Sequence, residues 1–333
     1  MTSTRYDVLG IGNAIVDVIA RAEDDFLVRQ KMQKGTMALI DEARAEAIYD
    51  AMGPAIETSG GSAANTIVGL ASLGARTAFI GKVKDDTLGR TFMHDIRAAG
   101  VAFDTPPASV GPSTARCYVL VTADGERTMN TYLGAAQDLH PNDVDEDAVG
   151  AASITYLEGY LWDPKNAKDA FLKAAEAAHK AGRLVALTLS DAFCVDRWRD
   201  EFLQLVRSRT VDLLFANEAE LRSLYETADF DTAVSALRND APFAAVTRSE
   251  KGCIVVTPEK IEAVPAFPIS RLVDTTGAGD LFAAGFLFGI ARGADHQTAG
   301  RLGSLAAAEV IQHLGARPET SLKALAQENG LPV

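Results

Sequence analysis

Apolar positions fill Tyr6 to Gly12 except at Asp7, and glycines at 10 and 12 close the run. That pattern predicts a buried first strand followed by a glycine turn. Residues 62–73 repeat at helical spacing behind the Gly60-Gly61 turn, and 77–80 read as a short strand. Residues 87–98 read as a helix that ends near Gly100. Residues 114–121 alternate apolar and polar, Ala123-Asp124-Gly125 supplies a hairpin turn, and Arg127 to Thr131 returns. From residue 150 a regular rhythm sets in. Strands 153–157, 184–189 and 212–215 precede helices 165–181, 197–207 and 217–226. Strand 243–247 pairs with 253–257, and two final helices cover about 278–292 and 296–313. Such alternation predicts a parallel sheet with helices on both faces. The hairpin stands outside it and is assigned to a separate small sheet. No repeat, low-complexity tract or long linker divides the chain. The expectation is one domain over 1–333, with a small β lid built from about 13–40 and 102–132.

Composition narrows the function classes. Of 333 residues, 47% are hydrophobic, enough for a sizeable core. A net charge of −13 disfavours nucleic acid and anionic membranes as partners. It does not disfavour a nucleotide, whose phosphates a divalent ion and backbone dipoles can neutralise. Cys117, Cys194 and Cys253 are widely spaced and odd in number, which argues against a disulfide framework. The five histidines show no zinc-type spacing. The start of the chain has no signal-peptide core and no run of 18 apolar residues occurs, so a cytoplasmic protein is expected.

The candidate chemistry centres on Asp274-Thr275-Thr276-Gly277-Ala278-Gly279-Asp280, which leads into the apolar run Leu281–Leu287. Backbone N–H groups of Gly277, Ala278 and Gly279 at a helix N-terminus form an anion cradle, backed by the helix dipole. A carboxylate at its edge, Asp280, is placed to take a proton from an attacking hydroxyl. The plainer reading makes Asp280 a first-turn acid that only complements the dipole.

Other motifs follow in order. They are Gly10-Ile11-Gly12-Asn13 through Asp17, Gly60-Gly61-Ser62-Ala63-Ala64-Asn65, Asn217-Glu218-Ala219-Glu220, and Thr247 to Gly252. Position 15 is Ile, not Gly, and strand-like sequence follows, so the dinucleotide fingerprint fails. In this order and spacing, over about residues 5–318, the chain resembles the ribokinase-type carbohydrate kinase family, also called phosphofructokinase-B. The resemblance implies an α/β ribokinase-like fold: a three-layer α/β/α sandwich around a mostly parallel sheet, with a small β-sheet lid. It implies ATP and Mg²⁺, with K⁺ as a further candidate, and Asp280 as general base. Asn13 and Asp17 would hold acceptor hydroxyls, with Gly60, Gly61 and Asn65 as a second clamp. Asn217, Glu220, Thr247 and Gly252 would line the ATP site, Glu220 acting on Mg²⁺ through water. Asp274, Thr276 and Gly315 resemble a monovalent cation site. Ser249 stands where the family often has Gly.

The acceptor is read as a nucleoside, adenosine first. Gly-Ile-Gly-Asn-Ala-Ile-Val-Asp at the first strand, Tyr156-Leu157-Glu158-Gly159-Tyr160 and Leu214–Glu220 resemble adenosine kinase-like members. Leu187–Phe193 lacks the D-x-N-x-R pattern of many sugar kinases. Arg127 falls where a lid arginine approaches phosphate, and Met129, Tyr132 and Tyr160 offer an apolar surface to a purine. A sugar or sugar acid (fructose, ribose, 2-keto-3-deoxygluconate) is the alternative, and a non-catalytic ligand sensor is the reading outside enzymes. An exposed lid sheet would also let two copies pair as a homodimer.

Overall fold

The protein is described from a computed structural model covering residues 4–333. Its strands are β1 (Tyr6–Ile11), β2 (Ile15–Arg21), β3 (Met37–Leu39), β4 (Ala55–Gly60), β5 (Thr77–Ile80), β6 (Val101–Ala102), β7 (Ala115–Val121), β8 (Arg127–Tyr132), β9 (Ala152–Glu158), β10 (Leu184–Thr188), β11 (Leu213–Asn217), β12 (Ala244–Thr247), β13 (Cys253–Val256) and β14 (Ile261–Val264). Nine form one sheet in the order β14-β13-β12-β11-β10-β9-β1-β5-β6. From β6 to β12 neighbours run parallel, and β13 and β14 add an antiparallel edge.

Alternation along each buried strand feeds two cores. Val8, Tyr156, Ala186 and Phe215 pack towards helices Ser62–Ser72, Ala278–Ala291 and His296–Val310. Leu9, Ile11, Leu157 and Leu187 pack towards helices Lys165–Lys180, Ala192–Arg207 and Phe230–Asp240. This is the expected sandwich of a sheet between two helical layers.

The second sheet has the order β3-β8-β7-β2-β4. The expected hairpin is its centre, with Cys117 opposite Thr131 and Val119 opposite Met129. Two boundaries differ from the sequence reading. Strand β4 closes one edge of the small sheet although it lies outside 13–40 and 102–132, and β6 belongs to the large sheet. Strand β6 is only two residues long and β4 is exposed over its first half, so neither carries a strong apolar pattern. Helix Ala192–Arg207 begins earlier than 197 because Trp198 leaves helical geometry and two short helices meet there. Helix Phe230–Asp240, passed over in the sequence, buries Phe230, Ala233, Val234 and Leu237 on one face.

Candidate active site

The large sheet presents the carboxyl ends of its parallel strands at one edge. Strand order reverses between β1 and β9, which lie side by side while the chain continues from them to opposite flanks. Ligands of open α/β sheets bind at such a crevice. Asn13 follows β1 and Glu158 ends β9, and the two meet: Asn13 Nδ2 donates to Glu158 Oε1 at 2.7 Å. Ala63 N–H donates to the other oxygen at 2.9 Å. Burial pushes the Glu158 carboxyl up to about 7, these two hydrogen bonds pull it down, and the charge of Asp280 adds to the rise. Asn13 is only 1% exposed, yet its Oδ1 has no hydrogen-bond partner. A buried acceptor of this kind fits a hydroxyl donor. Glu158 was not singled out from sequence. Its signal is a carboxylate at the end of an otherwise apolar strand.

Asp280 lies in the first turn of helix Ala278–Ala291, capped by Gly277 in the left-handed region (φ 78°). A Cβ at Gly277 would run into Ala316. The turn that opens this helix is therefore one that only glycine fills easily. Ala278 N–H makes a 3.2 Å bond back to Thr275 O, so of the three expected donors it is the one with an internal partner. At Gly279 a Cβ would meet open space, so the cradle faces the cleft there. Ser62 Oγ donates to Asp280 Oδ1 at 2.6 Å and Asn65 Nδ2 to Oδ2 at 3.2 Å. Burial raises the Asp280 carboxyl above its ordinary value, while Ser62, Asn65 and Arg317 act to lower it. Asn65 Oδ1 in turn accepts from Arg317 Nε at 2.7 Å. Neither Ser62 nor Arg317 was assigned from sequence.

Asp17 reaches this cleft from the small sheet. Its carboxylate lies against Gly60, where any Cβ would overlap it, so Gly60 serves by leaving room. Gly61 adopts φ 95° and packs on the Asn13 carbonyl. Burial raises Asp17 to about 6; Arg317 and Arg127 lower it and Asp280 raises it. Alternation places Ile15, Cys117, Val119 and Met129 in one cluster on the Asp17 face. Tyr132 is a correction. It stands three residues from Met129, an odd separation, so in β8 it faces the opposite side. There it joins the main core with Arg116 over its ring at 5.1 Å and cannot form one purine surface with Met129. Tyr160, by contrast, feels Asp191, Asp280 and Glu220, and so borders the cleft.

Arg127 and Asp274 meet directly. Their ion pair is 2.9 Å long and both side chains are 9% exposed, while Arg127 Nε has no partner. The other oxygen of Asp274 accepts from Thr276 N–H at 3.0 Å and Thr276 Oγ1 at 2.7 Å, and Gly315 N–H donates to Oδ2 at 3.0 Å. The three residues expected around a monovalent cation thus come together, but through donors. The Asp274 charge is already matched by Arg127, so its carboxylate is not a free ligand for K⁺ in this arrangement.

At the far end, Asn217 and Thr247 are register partners at the ends of β11 and β12. Gly252 holds φ 81°, and Ser249, in place of the common Gly, also lies in the left-handed region at φ 52°. Asn217 and Glu220 form a capping box: Glu220 Oε2 accepts from Asn217 N–H at 2.9 Å, and Asn217 Oδ1 from Glu220 N–H at 2.9 Å. Burial raises Glu220 to about 7, opposed by Asn217 and reinforced by Asp191. Carboxylate oxygens with a strong appetite for positive charge suit a hydrated Mg²⁺. Among the described residues no helix is long and apolar enough to cross a membrane.

Comparison with known proteins agrees with this geometry. Residues 55–323 match the pfkB family carbohydrate kinases. An adenosine kinase from Sinorhizobium meliloti is 55% identical, with a TM-score of 0.91 over 98% of this chain and 99% of its own. A probable sugar kinase from Rhizobium etli CFN 42 is 52% identical, with a TM-score of 0.92 over 99% of this chain and 100% of its own. The adenosine kinase of Saccharomyces cerevisiae is 28% identical over 92% of this chain and 94% of its length. A probable fructokinase of Arabidopsis thaliana is 29% identical over 70% and 73%. With a ribokinase-like fold, a sheet-edge cleft and a matched family signature, the chain belongs to the pfkB family of carbohydrate kinases and is a phosphotransferase acting on an alcohol group of a sugar or nucleoside.

Proposed function

We propose that the protein transfers the γ-phosphoryl group of ATP to the primary hydroxyl of a nucleoside, adenosine to AMP. The observation that carries the mechanism is Asp280, held at a helix N-terminus by Ser62 and Asn65 beside open space at Gly279. Asp280 takes the hydroxyl proton, the hydroxyl oxygen attacks the γ-phosphorus, and ADP leaves with the bond-breaking electron pair. The N–H groups of residues 277–279 stabilise charge on the transferring group. Asp17, against Gly60, accepts hydrogen bonds from a vicinal diol, and the free Asn13 Oδ1 accepts another. Mg²⁺ would offset phosphate charge, and Glu220 with Asp191, whose charge acts on it, would hold its water shell.

Two supports favour a nucleoside. The Sinorhizobium meliloti relative is named an adenosine kinase, and Met129 sits with Ile15 and Val119 on the Asp17 face, a flat apolar strip for a base. The Rhizobium etli relative favours a sugar or sugar acid instead. ATP consumption over adenosine, other nucleosides, ribose, fructose and 2-keto-3-deoxygluconate separates them. Highest kcat/KM on adenosine supports the first reading, and highest on a free sugar replaces it with the second.

A further inference from the structure

We propose that Arg317 is the positioning residue of the reacting cleft, fixing the orientation of Asn65 and, through it, the direction and charge of Asp280. Three independent contacts support this. Arg317 Nε donates to Asn65 Oδ1 at 2.7 Å, and its Nη2 donates to Ser59 O at 2.7 Å and Ser59 Oγ at 3.1 Å. Asn65 then donates Nδ2 to Asp280 Oδ2. The chemistry permits only one order. An arginine has no acceptor and an ionised carboxylate has no donor, so an asparagine between them must turn its carbonyl to the arginine and its amide to the carboxylate. Without the arginine, the Asn65 amide is free to present either end, and a carbonyl facing Asp280 would repel it.

The same side chain joins three parts of the fold. Ser59 belongs to β4 of the small sheet, Asn65 to helix Ser62–Ser72 and Asp280 to helix Ala278–Ala291, while Arg317 comes from the segment after helix His296–Val310. Ser59 is itself fixed, since Asp95 Oδ2 accepts from its N–H at 2.8 Å and from its Oγ at 2.5 Å. Electrostatics point the same way. Asp17 and Glu158 feel the charge of Asp280, as do Tyr156 and Tyr160, and all of these groups are neutral or negative. Among the described residues, Arg317 is the cation acting on Asp280. It also acts on Asp17 and Asp95. Burial lowers Arg317 to about 10, which leaves it charged at neutral pH.

The inference rests on Asp280 as the proton acceptor, and its test separates the two ideas. Arg317→Met and Arg317→Lys are compared with wild type in two ways. Aspartate ¹³Cγ titration without substrates, with the Asp280 signal identified by its loss in Asp280→Asn, reads the carboxyl directly. Removal of the cation in Arg317→Met should raise the Asp280 midpoint by about 1 to 3 pH units. The acid limb of kcat with ATP and adenosine should rise with it. Arg317→Lys keeps the charge but loses the fork, so its midpoint should stay near wild type while kcat falls about 10- to 100-fold from misorientation. An unmoved Asp280 midpoint in Arg317→Met, or wild-type kcat in Arg317→Lys, overturns the assignment. If Arg317→Met does not fold, the lysine variant decides alone. If the wild type is silent towards adenosine, the acceptor reading fails and the titration still decides the role of Arg317.

Discussion

Asp17 shows how one side chain couples sequence, space and chemistry. Its position four residues before the end of β2 aims it across Gly60 into the cleft, where burial holds its carboxyl at about 6. Asp17→Ala should weaken acceptor binding by about 1.5 to 3 kcal/mol, the cost of losing hydrogen bonds to a charged group, with the ATP KM little changed. Steady-state kinetics with a 2′- or 3′-deoxy acceptor check the pairing: the deoxy penalty should shrink in the variant, and an equal penalty in both proteins removes Asp17 from the clamp. The ionised form accepts best, so acceptor KM should rise as pH falls through 6. Asp280, Asp17 and the Gly60-Gly61 pair were legible in sequence because each lies within a short motif whose chemistry is local. Glu158 and Arg317 were not. Their partners stand 145 and 252 residues away, and only the sheet's strand order brings them together.

The small sheet is the element that should move. It carries Asp17 and Arg127, it borders the cleft, and its outer positions Ile56, Met37 and Leu39 are exposed apolar side chains. Closure over an acceptor would exclude water, the competing nucleophile. Hydrogen exchange of residues 115–132 should slow on adding adenosine; equal protection with and without it would mean a sheet set permanently in place. Arg127 is paired with Asp274 across the two parts of the cleft. Arg127→Ala should lower kcat more than it raises the ATP KM, by analogy with loss of a cation at the transferring group. It should also leave Asp274 open, so K⁺ stimulation that is absent in wild type and present in Arg127→Ala would match the observed ion pair. The hairpin at the heart of this sheet was readable from its turn and alternation. Strand β3 was not, since all three of its residues are exposed and edge strands carry little hydrophobic signal.

Across the whole molecule, the parallel sheet followed from the strand–helix rhythm, and its carboxyl edge gathered motifs that lie far apart in the chain. The same edge concentrates carboxylates that burial keeps partly protonated, which has a consequence for stability. Asp17, Glu158 and Glu220 have folded values raised to about 6, about 7 and about 7. In the unfolded chain they lose protons near 4, so between pH 4 and 7 the native state holds more protons. Their stabilising contribution is complete below that window and is lost as pH rises through it. The Tm of the free protein should therefore fall from pH 5.5 to 8, and Glu158→Gln should make the slope shallower; a Tm that climbs over this range would contradict the burial reading. Asp7, whose carboxyl is lowered chiefly by Arg76 against the pull of burial, acts in the other direction and only in stronger acid. The proposed catalysis turns on proton removal at one helix N-terminus. Its most direct test is AMP formation from ATP and adenosine, followed by chromatography, in wild type and Asp280→Asn. Wild type should give stoichiometric AMP and ADP, and the variant a kcat lower by about 10²- to 10⁴-fold with adenosine affinity nearly unchanged. Equal kcat in the two proteins would contradict it.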